Sequence, residues 1–199
     1  MPLDSFSQTG LQSAAQTMLA NTPLHPLAPV LGKWFEEDLR RIQASIRGTD
    51  VQVFRETLAS LDIGYECASG DAANIPLEGP VLVVANHPFG LVEGLVLGAL
   101  LAEIRPVRFF ANSMLHAVPA LRDYVFPVNP FGGAAAIREN QRSLRQGIAC
   151  LRAGRLLVVF PAGEVAPLRL PDMAIPDPEW TKNAVSRIEK IFMRRAGSI

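Results

Sequence analysis

The 199 residues, 49% apolar and 19% charged, are enough to bury a substantial core as one domain, and they exclude a disordered chain. A formal net charge of +0 conceals an uneven distribution: residues 1–104 hold five basic and twelve acidic side chains, and residues 105–199 hold fourteen and seven, so the halves carry −7 and +7. A basic second half can face anionic lipid or an acidic carrier protein, or it can simply be solvated helix surface. Cys67 and Cys150 stand far apart in apolar surroundings, in no metal or redox spacing, and are expected as buried free thiols in a reducing compartment. No basic-then-apolar leader and no run of roughly 18 apolar residues is found, so any membrane contact is expected to be peripheral.

In chain order, residues 1–28 are polar and punctuated by Pro23 and Pro26, which predicts a lead-in with one short helix near Gln12–Leu19. From Val30, the residues Leu31, Trp34, Phe35, Leu39, Ile42 and Ile46 fall at helical spacing opposite Glu36, Glu37, Asp38, Arg40 and Arg41. That amphipathic helix ends near Gly48, so residues 1–48 read as an N-terminal segment and 49–199 as the main domain. Asp50 is expected to cap a helix over Val51–Leu61, and Ile63–Ala68 alternates like a half-buried strand. After a loop over Gly70–Pro80, Val81–Ala85 is continuously apolar and β-branched, as a buried central strand would be.

Further on, Leu91–Ile104 predicts a helix, Val107–Ala111 a strand, Ser113–Tyr124 a helix and Val125–Val128 a short strand. Pro130-Phe131-Gly132-Gly133 predicts a turn, Ala134–Ala153 a helix stopped by Gly154, and Leu156–Phe160 another apolar strand. A proline-rich loop over Pro161–Pro178 leads to a last amphipathic helix, Glu179–Ala196. Ser198-Ile199 then resembles the start of a further strand, so the sheet is expected to lack one at its C-terminus. Strands alternating with helices imply an α/β domain, a largely parallel mixed sheet flanked by helices. Ligands of such sheets bind outside the carboxyl ends of the strands, where the loops after Val81–Ala85 and Leu156–Phe160 both open.

Two stretches there carry chemistry. In Asn86-His87-Pro88-Phe89-Gly90, the histidine is suited to taking a proton near neutral pH, and a carboxylate on its other ring nitrogen would fix the tautomer. Glu93 is the candidate. On one continuous helix, residues six apart would be separated by about 240°, so the Pro88-Phe89-Gly90 interruption is what lets His87 and Glu93 converge. Spacing leaves a second reading equally open, in which His87 is a hydrogen-bonded turn residue and Glu93 a helix-start acid favoured by the dipole. In Phe160-Pro161-Ala162-Gly163-Glu164-Val165, a glycine just past a strand permits close backbone approach to a ligand, and its amides can hold an oxyanion. No Gly-x-Ser-x-Gly elbow, phosphate loop, Gly-x-Gly-x-x-Gly or metal-ligand spacing accompanies them, and His25 and His116 read as ordinary surface or packing residues.

Together the two stretches resemble the lysophospholipid (glycerolipid) acyltransferase family. Asn86-His87-Pro88-Phe89-Gly90 with Glu93-Gly94-Leu95, and Phe160–Val165, look most like its haemolysin-like branch, which includes acyltransferases of ornithine and related aminoacyl lipids. The likeness covers about residues 50–199, including Asn112, Val128-Asn129-Pro130-Phe131 and Trp180. It implies an O-acyltransferase that moves a fatty acyl group from acyl carrier protein or acyl-CoA to the hydroxyl of a lyso-lipid. It implies His87 as general base, oriented by Glu93, with Asn86, Gly90, Asn129, Phe160, Pro161, Gly163 and Glu164 around the substrate. Neither metal nor cofactor is implied. The expected setting is cytoplasmic, peripheral on the inner membrane face, with no nucleic acid among the partners.

Three departures qualify the pattern. The family's acid is an aspartate one residue nearer the histidine, where this chain has Val92. The arginine often found after the middle strand is replaced by Asn129-Pro130, and Phe-Pro-Glu-Gly-Thr-Arg becomes Phe-Pro-Ala-Gly-Glu-Val. Since arginine is the usual fork for phosphate, the expected acceptor lacks a phosphomonoester, as a lyso-aminolipid does. The alternative is a domain that binds lipid or acyl carrier with weak or no catalysis.

Overall fold

Short β-branched runs alternating with longer amphipathic ones fold into the α/β layers that their periodicities predict. The computed structural model describes residues 51–67, 71–87, 90–116, 118–129, 133–162 and 180. The readings made on residues 1–50, on Gly163 and Glu164 and on the helix Glu179–Ala196 lie outside the described residues. The elements are α1 (Gln52–Ser60), β1 (Val81–Val84), α2 (Leu91–Leu101), β2 (Val107–Asn112), the single turn α3 (Ser113–His116), β3 (Val125–Val128), α4 (Gly133–Arg152) and β4 (Leu156–Val159).

The four strands form one sheet in the order β1-β4-β2-β3, and all three pairings are parallel. Val84 is opposite Val159, and Ala85 extends that ladder by donating its N–H to the Val159 carbonyl at 3.2 Å. Parallel pairing puts every carboxyl end on one edge, so the segments after β1 and β4 leave the sheet side by side.

Alternation along the strands sends side chains to two covered faces. On one, Phe54 of α1 packs 5.9 Å from the Phe109 ring of β2 and 4.7 Å from Tyr124, centroid to centroid. Gly98 of α2 is pressed onto the same Phe54 ring, so that a Cβ there would overlap it. On the other face, Ile148 and Leu151 of α4 pack on Leu157 and Val159, ringed by Leu82, Val84, Phe110, Phe126 and Leu144. The residues of this second face are register partners, Leu82 with Leu157, Val84 with Val159 and Phe110 with Phe126.

Arg105, 7% exposed, holds the opposite edge together. Its guanidinium donates to the carbonyls of Pro76 at 2.7 Å, Glu78 at 3.3 Å, Gly79 at 2.6 Å and also Gly154. These carbonyls precede β1 and β4, and Arg105 itself precedes β2, so one side chain joins the starts of three adjacent strands. In β3, at the border of the described sheet, Pro127 has no N–H to donate and its carbonyl accepts from Ser143 of α4. Two residues on, Asn140 of α4 accepts the Asn129 N–H at 2.8 Å and donates to the Asn129 carbonyl at 2.9 Å.

The structure corrects several expectations. The buried central strand is β4, whose four residues are at most 6% exposed, whereas β1 is half-buried at the border of the described sheet. Ile63–Cys67 forms no strand. Asp62, at φ 55°, ends α1 in the left-handed conformation, and the chain that follows is largely exposed. The helix expected over Ser113–Tyr124 is one turn followed by Val118–Leu121 turns and a 3-10 turn, Arg122–Tyr124. Val51, with no side-chain cap, stands where Asp50 was expected at the start of α1. Cys150 is buried as expected, but Cys67 is exposed.

Candidate functional site

β1 delivers the chain to its carboxyl edge at Val84, and His87 follows three residues later. Gly90 then turns the backbone into α2 at φ 77° and ψ −106°, a conformation that only glycine adopts without strain. Glu93 lies in the first turn of α2, where a carboxylate favours the helix dipole. The turn brings His87 Nδ1 to 3.5 Å from Glu93 Oε2, and both facing atoms are closed to solvent. The side chains as wholes remain 21% and 18% exposed, so the pair sits at a partly open surface. At 3.5 Å the two atoms stand beyond ordinary hydrogen-bond length, and they form an ion pair only when the histidine is protonated. Contacts of this kind tighten when a substrate closes the site.

β4 supplies the third member. Phe160 follows Val159 directly, and its ring stacks on the His87 imidazole with centroids 4.1 Å apart and planes inclined by 22°. That face of the imidazole is shielded from water. Burial holds the His87 pKa below its usual 6.5, while the Glu93 carboxylate pulls it the other way and only partly offsets the shift. A neutral imidazole near pH 7, with a carboxylate at one nitrogen, is equipped to accept a proton on the other.

Other site candidates fall in different places. Asn86 is exposed on the same turn, and its Oδ1 accepts a hydrogen bond from Trp180 Nε1 at 2.9 Å. Pro161 continues from Phe160 and is partly buried. Asn129 is on the same edge but beyond the end of β3, two strands from β4, with its backbone clamped by Asn140. Asn140 carries no signal at the level of sequence, because its partner is a backbone group fixed only by the fold. Trp180 entered the sequence reading only through the family resemblance. Among the described residues, no helix is long and apolar enough to cross a membrane.

Comparison with known proteins adds a family to this geometry. A family model described as Acyltransferase matches residues 68–196. The chain is similar to a lyso-glycine lipid O-acyltransferase of Phocaeicola vulgatus, 29% identical over 116 residues that cover 57% of this chain and 39% of the relative. A protein of the same name from Bacteroides thetaiotaomicron is 28% identical over 114 residues, covering 56% and 39%. The chain thus spans about two fifths of the length of these curated relatives.

Proposed function

Because the chain belongs to the Acyltransferase family, we propose that it moves a fatty acyl group from a thioester donor, acyl carrier protein or CoA, to the hydroxyl of a lyso-lipid. The observation that carries this reading is the 3.5 Å approach of His87 to Glu93 across the glycine turn. Glu93 holds the Nδ1 side of the imidazole and leaves Nε2 to take the proton of the acceptor hydroxyl. The hydroxyl oxygen bonds to the thioester carbonyl carbon, the carbon–sulfur bond breaks, and the departing thiolate receives the proton. Phe160 covers one face of the imidazole, and backbone amides near Gly163 bind the developing oxyanion.

The acceptor we propose is a lyso-aminolipid. Asn129 and Val165 stand where the family carries arginines, which removes the usual forks for a phosphomonoester. The names of the two relatives, lyso-glycine lipid O-acyltransferases, support the same choice. The features of the haemolysin-like branch, Asn86–Leu95 and Phe160–Val165, belong to this finer assignment. So does a peripheral position on the inner membrane face.

A thioester-release assay with lyso-ornithine lipid, lyso-glycine lipid and lysophosphatidic acid tests the reading. Acyl transfer to the aminolipids is expected to exceed transfer to lysophosphatidic acid. The variant His87→Ala is expected to lose about 10²- to 10⁴-fold in rate, the usual contribution of a general base, while keeping its fold. Undiminished transfer in that variant removes the mechanism, and preference for lysophosphatidic acid removes the acceptor.

A further inference from the structure

We infer that the exposed face of α4 nearest the candidate site docks on an anionic lipid bilayer, an inference that takes its motive from the lyso-lipid reading but rests on different residues. Topology fixes the location. α4 begins shortly after β3 ends, so its first turns stand at the same sheet edge as His87 and Phe160, and Asn140 ties its second turn to Asn129. β3 lies two strand spacings from β4 and three from β1, about 10 and 15 Å at the usual interstrand separation. The surface is therefore beside the His87–Phe160 pair and not part of it.

The composition of this face is one-sided. Arg138, Arg142, Arg145 and Arg152 are all exposed, and at 100° per residue they fall within an arc of about 80°. Glu139 is the single acid of the helix. Flanking the stripe near the site, Ile137 is 55% exposed and lies about 80° around the axis from Arg145 and about 100° from Arg138, with exposed Ala134 and Ala135 just before it. An isoleucine in water beside a row of guanidinium groups suits an interface in which the apolar side chain enters the acyl boundary and the arginines meet headgroup phosphates. Arg138, Arg142 and Arg145 lie within about 12 Å of Ile137 along the axis, whereas Arg152 is about 22 Å away. That distance is well beyond a physiological Debye length of about 8 Å. An acidic protein also suits a basic stripe, but it makes no use of Ile137 and does not require the stripe to begin at the site edge. A lipid acceptor requires both, since membrane and reacting groups must meet at one edge.

The test is sedimentation of the full chain with phosphatidylcholine vesicles, with and without phosphatidylglycerol. The parent is expected to bind the anionic vesicles, less so as salt rises. Each arginine neutralised is expected to weaken binding about fivefold, so the triple variant Arg138→Gln, Arg142→Gln, Arg145→Gln loses about 100-fold and Arg152→Gln stays within about twofold of the parent. Ile137→Asn is expected to weaken binding at every salt concentration. His87→Ala is expected to bind as the parent does, and the triple variant to keep the parent's thermal midpoint and its rate on detergent-dispersed lyso-lipid. Docking and catalysis therefore fail separately: a parent without acyltransferase activity leaves the vesicle result standing. A parent indifferent to phosphatidylglycerol, or a triple variant that binds as tightly as the parent, overturns the inference. A triple variant that keeps the vesicles but loses an acidic carrier protein overturns it as well, and assigns the stripe to a protein partner.

Discussion

Burial and a carboxylate pull the His87 imidazole in opposite directions, and burial prevails. The sign of a pH experiment follows. As the proposed base, His87 works when neutral, so the acid limb of kcat/KM is expected below the ordinary histidine value of 6.5. Glu93 stabilises the protonated form, so Glu93→Gln is expected to move that limb to still lower pH while slowing the reaction. A limb that moves upward, measured as a kcat/KM profile, would show that Glu93 does not act on His87 as the geometry implies. At this scale the sequence was informative. The spacing of His87, Gly90 and Glu93 required a break between base and acid, and Gly90 makes that break with φ 77°. What spacing could not give was the ring on the imidazole, because Phe160 lies 73 residues further on and meets His87 only when β1 pairs with β4.

Elements were legible where a period repeats and obscure where one does not. The four strands β1 to β4 and the helices α2 and α4 begin within a residue of the apolar runs that announce them. The expected helix over Ser113–Tyr124 fails because Pro119 lacks an N–H and crowds the preceding turn. The alternation of Ile63–Cys67 comes to nothing because no described strand pairs with it. Gly98 shows a constraint that helical propensity alone would reverse. Alanine is the better helix former, yet a Cβ at this position meets Phe54, a ring only 3% exposed and already packed against Phe109 and Tyr124. Gly98→Ala is expected to destabilise the protein by about 1–3 kcal/mol through overpacking, read from denaturant unfolding. An unchanged midpoint would mean that Phe54 has room to move.

For the whole molecule, an α/β layering was readable from the order of elements, but the strand order was not. The run Val81–Val84 is as apolar as Leu156–Val159, and nothing local marks the second as central. Arg105 was equally silent, since its four partners are carbonyls with no side-chain signature. β3, at the border of the described sheet, has a consequence for how copies of this protein meet one another. A bordering strand normally offers a row of free amide donors and acceptors on which a neighbouring chain can crystallise as an added strand. From Pro127 to Asn129 that template is largely erased, for Pro127 brings no donor, Ser143 occupies its acceptor, and Asn140 occupies both groups of Asn129. The same contacts that brace the edge therefore insulate it against fibril-like growth. Pro127→Val combined with Asn140→Ala is expected to restore the template and produce concentration-dependent self-association in sedimentation velocity; a variant that stays monodisperse would show that the border is guarded by other means.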